Sequence, residues 1–256
     1  MRLSTLTAVV LALPVAAGAQ SSNTWSWSGT VGADKWVRVA SINGPIEVTP
    51  SSDGRVHVTA EKRARRGDPN RVRFEVVEHD GNVTICALWT EESRCTASGM
   101  TSHRSNRNES NDTEVHFKVQ VPASTNVAPT TVNGGIKVER AGREVKATTV
   151  NGGIEVATSG GPVNATTVNG SIRASVGSTA ARKMSFTTVN GAVEVSVPRD
   201  LAADVKMTTV NGDITTDLPI TIQGRWGPRN ASGKIGGGGE ELSLTTVNGS
   251  LRLRTL

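Results

Sequence analysis

Apolar and threonine side chains recur at every second position through the C-terminal half of the chain, on both sides of an Asn-Gly dipeptide. Numbered from each Asn, positions −6, −4, −2, +3 and +5 carry aliphatic residues, Met, Phe, Pro or Thr. A period of two predicts strands with one buried face. Each unit is therefore predicted to be a strand, an Asn-Gly turn and a second strand.

The sequence Thr-Thr-Val-Asn-Gly occurs six times, at spacings of 18, 18, 21, 21 and 37 residues. Its turn residues are Asn133, Asn151, Asn169, Asn190, Asn211 and Asn248, followed by Gly134, Gly152, Gly170, Gly191, Gly212 and Gly249. Residues 36–48 match the same offsets around Asn43. The period predicts an all-β fold, a β-solenoid of about 18–21-residue coils in which each unit lies on its predecessor. An antiparallel meander is the alternative, because Asn-Gly is also a hairpin signal.

The repeated turn residues have a structural and a functional interpretation. Structurally, Asn tolerates left-handed backbone angles and can hydrogen-bond along the stack, while Gly fits the turn. Functionally, a column of Asn amides could bind glycan hydroxyls. Val precedes every Asn of the six repeats, and strict alternation would turn it outward. Either a bend returns this Val to the core, or it packs against something outside the coil.

Position +4 is predicted to face water and to form a charge ladder along the stack. Its first four members are Lys137, Glu155, Arg173 and Glu194. Opposite charges on neighbouring strands attract, and their alternation opposes a slip by one coil.

Three regions are predicted along the chain. Residues 1–19 combine Arg2, an apolar run and a small-residue cleavage site, which is typical of a secretory signal peptide. Residues 20–127 form a less regular β region with the first coil (36–48) and a long polar loop (96–113). Residues 128–256 form the solenoid, within the same structural domain. The mature chain is expected in the periplasm or at the cell surface, with no transmembrane segment.

Composition adds a disulfide and a basic stretch. Cys86 and Cys95 are the only cysteines, and export predicts that they pair. The net charge is +5, and much of the excess lies in one stretch, Lys62, Arg63, Arg65, Arg66, Arg71 and Arg73. Such a stretch is either a solvated loop or a contact for an anionic envelope partner, not nucleic acid.

No standard catalytic motif is found. The chain lacks a Gly-x-Ser-x-Gly elbow, a zinc helix, a P-loop and a dinucleotide fingerprint, so no metal or cofactor is expected. Glu155 and Glu194 share one row with Arg173 between them, which places them roughly 9–10 Å apart. That separation is near the upper limit for an inverting glycosidase. A polysaccharide lyase or hydrolase is therefore the enzymatic alternative.

The early Ser41–Val48 segment, the Thr-Val-Asn-Gly coils and the glycine run at 236–239 resemble the bacterial putative adhesin family of β-strand-repeat proteins. The resemblance implies an exported, non-enzymatic binding or scaffold module of the cell envelope, whose partner is a polysaccharide or a protein. It offers no catalytic residues to carry over. A carbohydrate-active protein and an envelope-stress accessory that binds proteins are the alternatives, and the oligomeric state is not predicted.

Overall fold

In a computed structural model of the chain, every repeat contributes one strand to each of two facing sheets. The structure describes residues 23–101, 111–140, 143–178, 182–223 and 229–256. Coils pair in parallel in both sheets. The prediction of a β-solenoid is therefore confirmed, and the antiparallel meander is wrong for the repeats.

The strands before the repeats, with one 3-10 turn at Pro69–Arg71, are β1 (Thr24–Gly29), β2 (Trp36–Ala40), β3 (Ile46–Pro50), β4 (Val56–Arg63), β5 (Arg73–His79), β6 (Asn82–Leu88), β7 (Arg94–Thr96), β8 (Gly99–Thr101) and β9 (Glu114–Val121). The repeat strands are β10 (Asn126–Thr130), β11 (Ile136–Glu139), β12 (Val145–Thr148), β13 (Ile154–Gly160), β14 (Val163–Thr166), β15 (Ile172–Ser178), β16 (Met184–Thr187), β17 (Val193–Val197), β18 (Ala203–Asn211), β19 (Ile214–Thr216), β20 (Thr221–Gln223), β21 (Arg229–Ile235), β22 (Glu241–Asn248) and β23 (Leu251–Thr255).

The two large sheets run the length of the stack, and β7 and β8 form a separate hairpin. Sheet A has the order β1-β4-β9-β3-β11-β13-β15-β17-β23-β19. Sheet B has the order β20-β21-β18-β22-β16-β14-β12-β10-β2-β6-β5. Antiparallel strands occur only toward the ends, where β1 and β4, β5, and β20 and β21 add to the parallel array. At the N-terminal end, Trp25 of sheet A stacks on Phe74 of sheet B with ring centroids 4.8 Å apart.

The core lies between the sheets and is built from the predicted inward positions. Ile136, Ile154 and Ile172 at position +3 and the Thr residues at position −2 are at most 2% exposed. Thr216, at position +5 of the last coil in the stack, is the one predicted inward residue that is only half-buried. Burying an aliphatic side chain contributes about 1.5–3 kcal/mol, so the aligned columns supply most of the driving force for stacking.

The coils do not stack in chain order, and the prediction that each unit lies on its predecessor is wrong at the C-terminal end. Strands β22 and β23 insert between the coil of Asn190 and the coil of Asn211. The chain first builds the outermost coil with β18 and β19. It then turns back through β20 and β21 and fills the remaining interior position last. The 37-residue spacing therefore reflects a detour around the end of the stack.

Neighbouring coils come into direct backbone contact at the Asn-Gly corner. The buried Thr at position −2 donates its hydroxyl hydrogen to the corner Gly carbonyl of the adjacent coil, at 2.9–3.1 Å. A Cβ on Gly152 would overlap the carbonyl oxygen of Gly134, and Gly170 has the same relation to Gly152. Glycine is needed there because backbone packs directly on backbone.

The N-terminal region contains more structure than the sequence predicted. The proposed polar loop 96–113 includes the end of β7 and all of β8, which form a hairpin. Its residues 102–110 lie outside the described residues, as does the proposed signal peptide.

The position of the inserted coil predicts which of two core substitutions destabilises the protein more. Leu251 lies in the inserted coil between two neighbours and is fully buried, whereas Ile214 lies in the outermost coil and is 8% exposed. We expect Leu251→Ala to lower the free energy of unfolding by about 2–5 kcal/mol and Ile214→Ala to lower it less. Urea unfolding of both variants measures the difference. A larger loss for Ile214→Ala would contradict the stacking order.

The Thr hydroxyls predict a second contrast within one coil. Thr167→Val keeps the side-chain shape but leaves the Gly152 carbonyl without its donor, which we expect to cost about 1–3 kcal/mol. Thr166→Val, on the exposed neighbour, should change stability by less than about 0.5 kcal/mol. Thermal and urea unfolding check the pair. Equal effects would show that the buried hydroxyls contribute little to stacking.

Candidate functional site

The Asn side chains form a continuous ladder at the exposed corner between the sheets. Beyond the first repeat, each Asn amide donates to the side-chain oxygen of the Asn in the preceding coil of the stack at 2.8 Å, and the five bonds join the six repeats. None of these Asn residues has a positive φ, so the expectation of a left-handed turn is wrong. The role of Asn here lies in its side-chain amide, which has two N–H groups. One N–H donates along the ladder, and the other is left for an external acceptor.

A column of exposed valines runs beside the Asn ladder. Val150, Val168, Val189, Val210 and Val247 are each 37–39% exposed, which answers the open question about this position. Val132 and Ile42 continue the column as half-exposed members. Seven coils at about 4.8 Å per step make a strip roughly 29 Å long. We call the paired Val and Asn columns, from Ile42 and Asn43 to Val210 and Asn211, the corner strip.

The charge ladder on sheet A is longer than the sequence predicted. Strand pairing aligns, in stack order, Lys118, Glu47, Lys137, Glu155, Arg173, Glu194, Arg252 and Thr215. Insertion of the last coil places Arg252 beside Glu194, and the alternation extends over seven charges. A Glu139 carboxylate, 2.5 Å away, also raises the pKa of Lys137. Because the sign alternates, the row contains no run of positive charges that would attract a polyanion.

The proposed carboxylate pair keeps its place in one row of sheet A, with basic residues beside it. Arg173 lies between Glu155 and Glu194, and Arg254 contacts Glu194 at 3.5 Å. All three ladder side chains lie on the outer face of the sheet. Within the described ranges, no group of three or more His, Cys, Asp and Glu residues could hold a metal ion.

A cavity of about 450 Å³ lies at the N-terminal end of the corner strip, and we call it the end cavity. Ile42 and Asn43, the first members of the strip, form one side. Asn70, Arg71 and Arg73 come from the segment before and at the start of β5, and Asn111 comes from the segment before β9. The loop after β6 adds Trp89, Thr90, Glu91 and Glu92.

Hydrogen bonds from side chains to backbone carbonyls fix the walls of the end cavity. The Arg73 guanidinium donates to the carbonyls of Thr90 and Ser93, both at 2.6 Å, and so holds the loop after β6. The Trp89 indole N–H donates to the Thr113 carbonyl at 3.1 Å. Asn111 donates to the Asp68 carbonyl at 3.0 Å. These contacts are made with main-chain atoms, so the cavity is formed before any ligand arrives.

The neighbouring loop is fixed by Asp112. Its carboxylate accepts hydrogen bonds from the backbone N–H groups of Gly67 and Arg66. These bonds favour the charged form and lower the pKa of Asp112.

The six residues of the predicted basic stretch lie in different surroundings in the structure. Arg63 pairs with Glu61 at 2.9 Å, which raises the Arg63 pKa and lowers the Glu61 pKa. Lys62 lies over the Phe74 ring, 5.3 Å from its centroid, and desolvation lowers the Lys62 pKa. Arg65 and Arg66 are exposed on the loop. Only Arg71 and Arg73, named above, belong to the end cavity, so the stretch is not one continuous anion surface.

Cys86 and Cys95 form a disulfide with Cα atoms 5.7 Å apart. The bridge closes the loop that carries Trp89, Glu91 and Glu92 into the end cavity. Sequence analysis missed these three residues. The available signal was a Trp followed by polar residues inside the only disulfide-closed segment.

Comparisons with known proteins agree with this architecture. Residues 141–254 match the family model of the Toastrack DUF4097 domain. A solved structure described as a putative cell adhesion protein from Clostridium sporogenes aligns over 91% of this chain and 100% of its own, with 9% identity and a TM-score of 0.52. A putative adhesin from Bacteroides fragilis aligns over 92% and 98%, with 8% identity and a TM-score of 0.33. The first of these supports the fold. No curated protein matches the chain significantly.

No helical segment among the described residues has the length and hydropathy to span a bilayer.

The charge ladder predicts that a new lysine lowers the melting temperature more inside the ladder than outside it. Glu155 lies between Lys137 and Arg173, so Glu155→Lys would place three positive charges in a row. We expect this variant to melt at a lower temperature than Ser175→Lys, which places a new lysine on the neighbouring strand β15, two positions after Arg173. Thermal unfolding at low and at physiological salt measures both, and added salt should narrow the difference. Equal melting temperatures at low salt would contradict a role for the ladder in stacking.

Proposed function

Because residues 141–254 match the family model of the Toastrack DUF4097 domain, we propose that this protein is an exported, non-enzymatic binding module of the cell envelope. Its ligand is an extended polysaccharide that lies along the corner strip. The proposal is supported by the cell-adhesion description of the Clostridium structure and by the predicted signal peptide at residues 1–19.

The single observation that carries the proposal is the column of exposed valines beside the Asn amides. A β-branched residue suits an extended corner, but at an exposed position Thr would satisfy that preference equally well. Isolated exposed apolar residues are ordinary, whereas an aligned apolar strip marks an interaction surface. Sugar rings match such a strip because they present apolar C–H faces and hydroxyl edges together.

The regular repeat favours an extended polymer over a compact partner. The strip offers the same apolar and amide groups at each step of about 4.8 Å, so a long chain can contact many coils at once. Multiple weak contacts along one chain raise the overall affinity by avidity. The charge ladder alternates in sign and offers a polyanion no run of positive charges, which favours a neutral chain. A protein partner is the alternative that the experiment below distinguishes.

A polysaccharide-cleaving activity is the second candidate, supported by the shared row of Glu155 and Glu194. Binding without turnover supports the first candidate. Release of reducing ends that is abolished by Glu155→Gln or Glu194→Gln would support the second.

Two double variants in the same two coils test the strip. Val150→Lys with Val168→Lys places charge on the strip, while Thr148→Lys with Thr166→Lys places equal charge on the exposed face of sheet B. Binding of the full chain to a glycan array and to envelope polysaccharide is measured by biolayer interferometry, with circular dichroism as the folding control. We expect at least a tenfold loss of affinity for the valine pair and little change for the threonine pair.

Three results would contradict the proposal: no glycan bound by the wild-type chain, equal losses in the two pairs, or release of reducing sugars. Capture of a protein with no polysaccharide bound would favour the protein-partner alternative.

A further inference from the structure

We propose that the end cavity is a binding subsite for a neutral pyranose at the terminus of the bound polysaccharide. This inference rests on the proposed function and adds to it a specific site and a ligand class. The cavity volume of about 450 Å³ lies within the range of small-molecule sites and suits about one or two sugar rings.

The hydrogen-bonding groups of the end cavity match the needs of sugar hydroxyls. A hydroxyl both donates and accepts, so it is best bound where donors and acceptors alternate. Asn43 and Asn70 supply amides, which carry both kinds of group, whereas the Asn111 amide is bonded to Asp68 and Thr113. Glu91 and Glu92 supply acceptors. In the described part of the chain, the side chains of Asn70, Glu91 and Glu92 make no hydrogen bond.

Trp89 supplies the apolar surface that the coils lack. Its side chain is half-buried against the core, and its indole N–H is held by the Thr113 carbonyl. The ring is therefore fixed at the wall of the cavity. Stacking of a pyranose on an aromatic ring uses the apolar C–H face of the sugar, and a fixed ring loses little entropy on binding.

The charge balance of the end cavity selects against an acidic sugar. Two arginines, Arg71 and Arg73, and two glutamates, Glu91 and Glu92, line it together. Arg73 also pairs with Glu75 at 3.3 Å, and its guanidinium is occupied by backbone carbonyls. The lining therefore carries no net positive charge, and a carboxylated sugar would meet the two glutamates.

The end cavity is continuous with the corner strip. Ile42 and Asn43 line the cavity and are also the first members of the Val and Asn columns. A polysaccharide whose terminal ring occupies the cavity can therefore continue onto the strip without crossing a charged surface.

The test uses the full chain and neutral tetrasaccharides of hexose and N-acetylhexosamine, with a uronic-acid tetrasaccharide as the charged comparison. The cavity variant is Asn70→Ala with Glu92→Ala, and the matched control is Asn164→Ala with Glu78→Ala, which changes the same residue types outside the cavity. Affinity is measured by calorimetry at two salt concentrations. We expect about a tenfold or greater loss for the cavity variant and none for the control.

A second measurement does not depend on any substitution. The indole N–H resonance of Trp89, assigned from the Trp89→Phe variant, should shift when the neutral tetrasaccharide is added. Neutral sugar bound with no shift and no effect of the cavity variant would overturn this inference and leave the proposed function standing. Tighter, salt-sensitive binding of the uronic-acid sugar would overturn the choice of a neutral ligand. Absence of binding to any glycan would overturn both proposals.

Discussion

The close backbone contact between coil corners is the constraint on which the rest of the molecule depends. A corner Gly packs directly on the corner Gly of the next coil, and a buried Thr hydroxyl bonds the same carbonyl. The contact fixes both the spacing and the register of the stack. Once register is fixed at the corner, the core columns, the Asn ladder and the charge ladder align without further specification. Cross-strand contacts of this kind add small increments that become large when repeated.

The inserted coil shows how strict the constraint is. An interior coil must satisfy a neighbour on each side, so it needs both a Thr donor and a Gly acceptor. The last repeat supplies both, because Thr246 donates to Gly191 and the Gly249 carbonyl accepts from Thr209. The outermost coil, around Asn211, has one neighbouring coil, and its strand β19 lies at the edge of sheet A, where Thr216 occupies an inward position. The C-terminal segment completes the stack by filling the one remaining position, which requires contacts between distant residues.

The burial pattern and the solenoid could be predicted from the sequence because strand period and repeat period are local properties. The order of the last two coils could not be predicted from the repeat, because the units of Asn211 and Asn248 carry the same motif and either could pair with the unit of Asn190. The residue at position +4 does differ between these two units: Arg252 complements Glu194, and Thr215 does not. The end cavity was missed because Asn43, Asn70, Trp89 and Asn111 meet only through tertiary contacts among segments without a repeat.

The candidate site follows from what the stack leaves unsatisfied. Its interior strands pair their backbone groups within the sheets, and its outward charges alternate in sign along the ladder. The buried threonine hydroxyls donate hydrogen bonds to the corner Gly carbonyls of neighbouring coils. After these interactions are accounted for, the corner retains apolar valine surface and one spare amide N–H per coil. The end cavity adds a fixed Trp89 and the amides of Asn43 and Asn70 where that corner begins. A ligand with apolar faces and neutral hydrogen-bonding edges matches what remains on both surfaces.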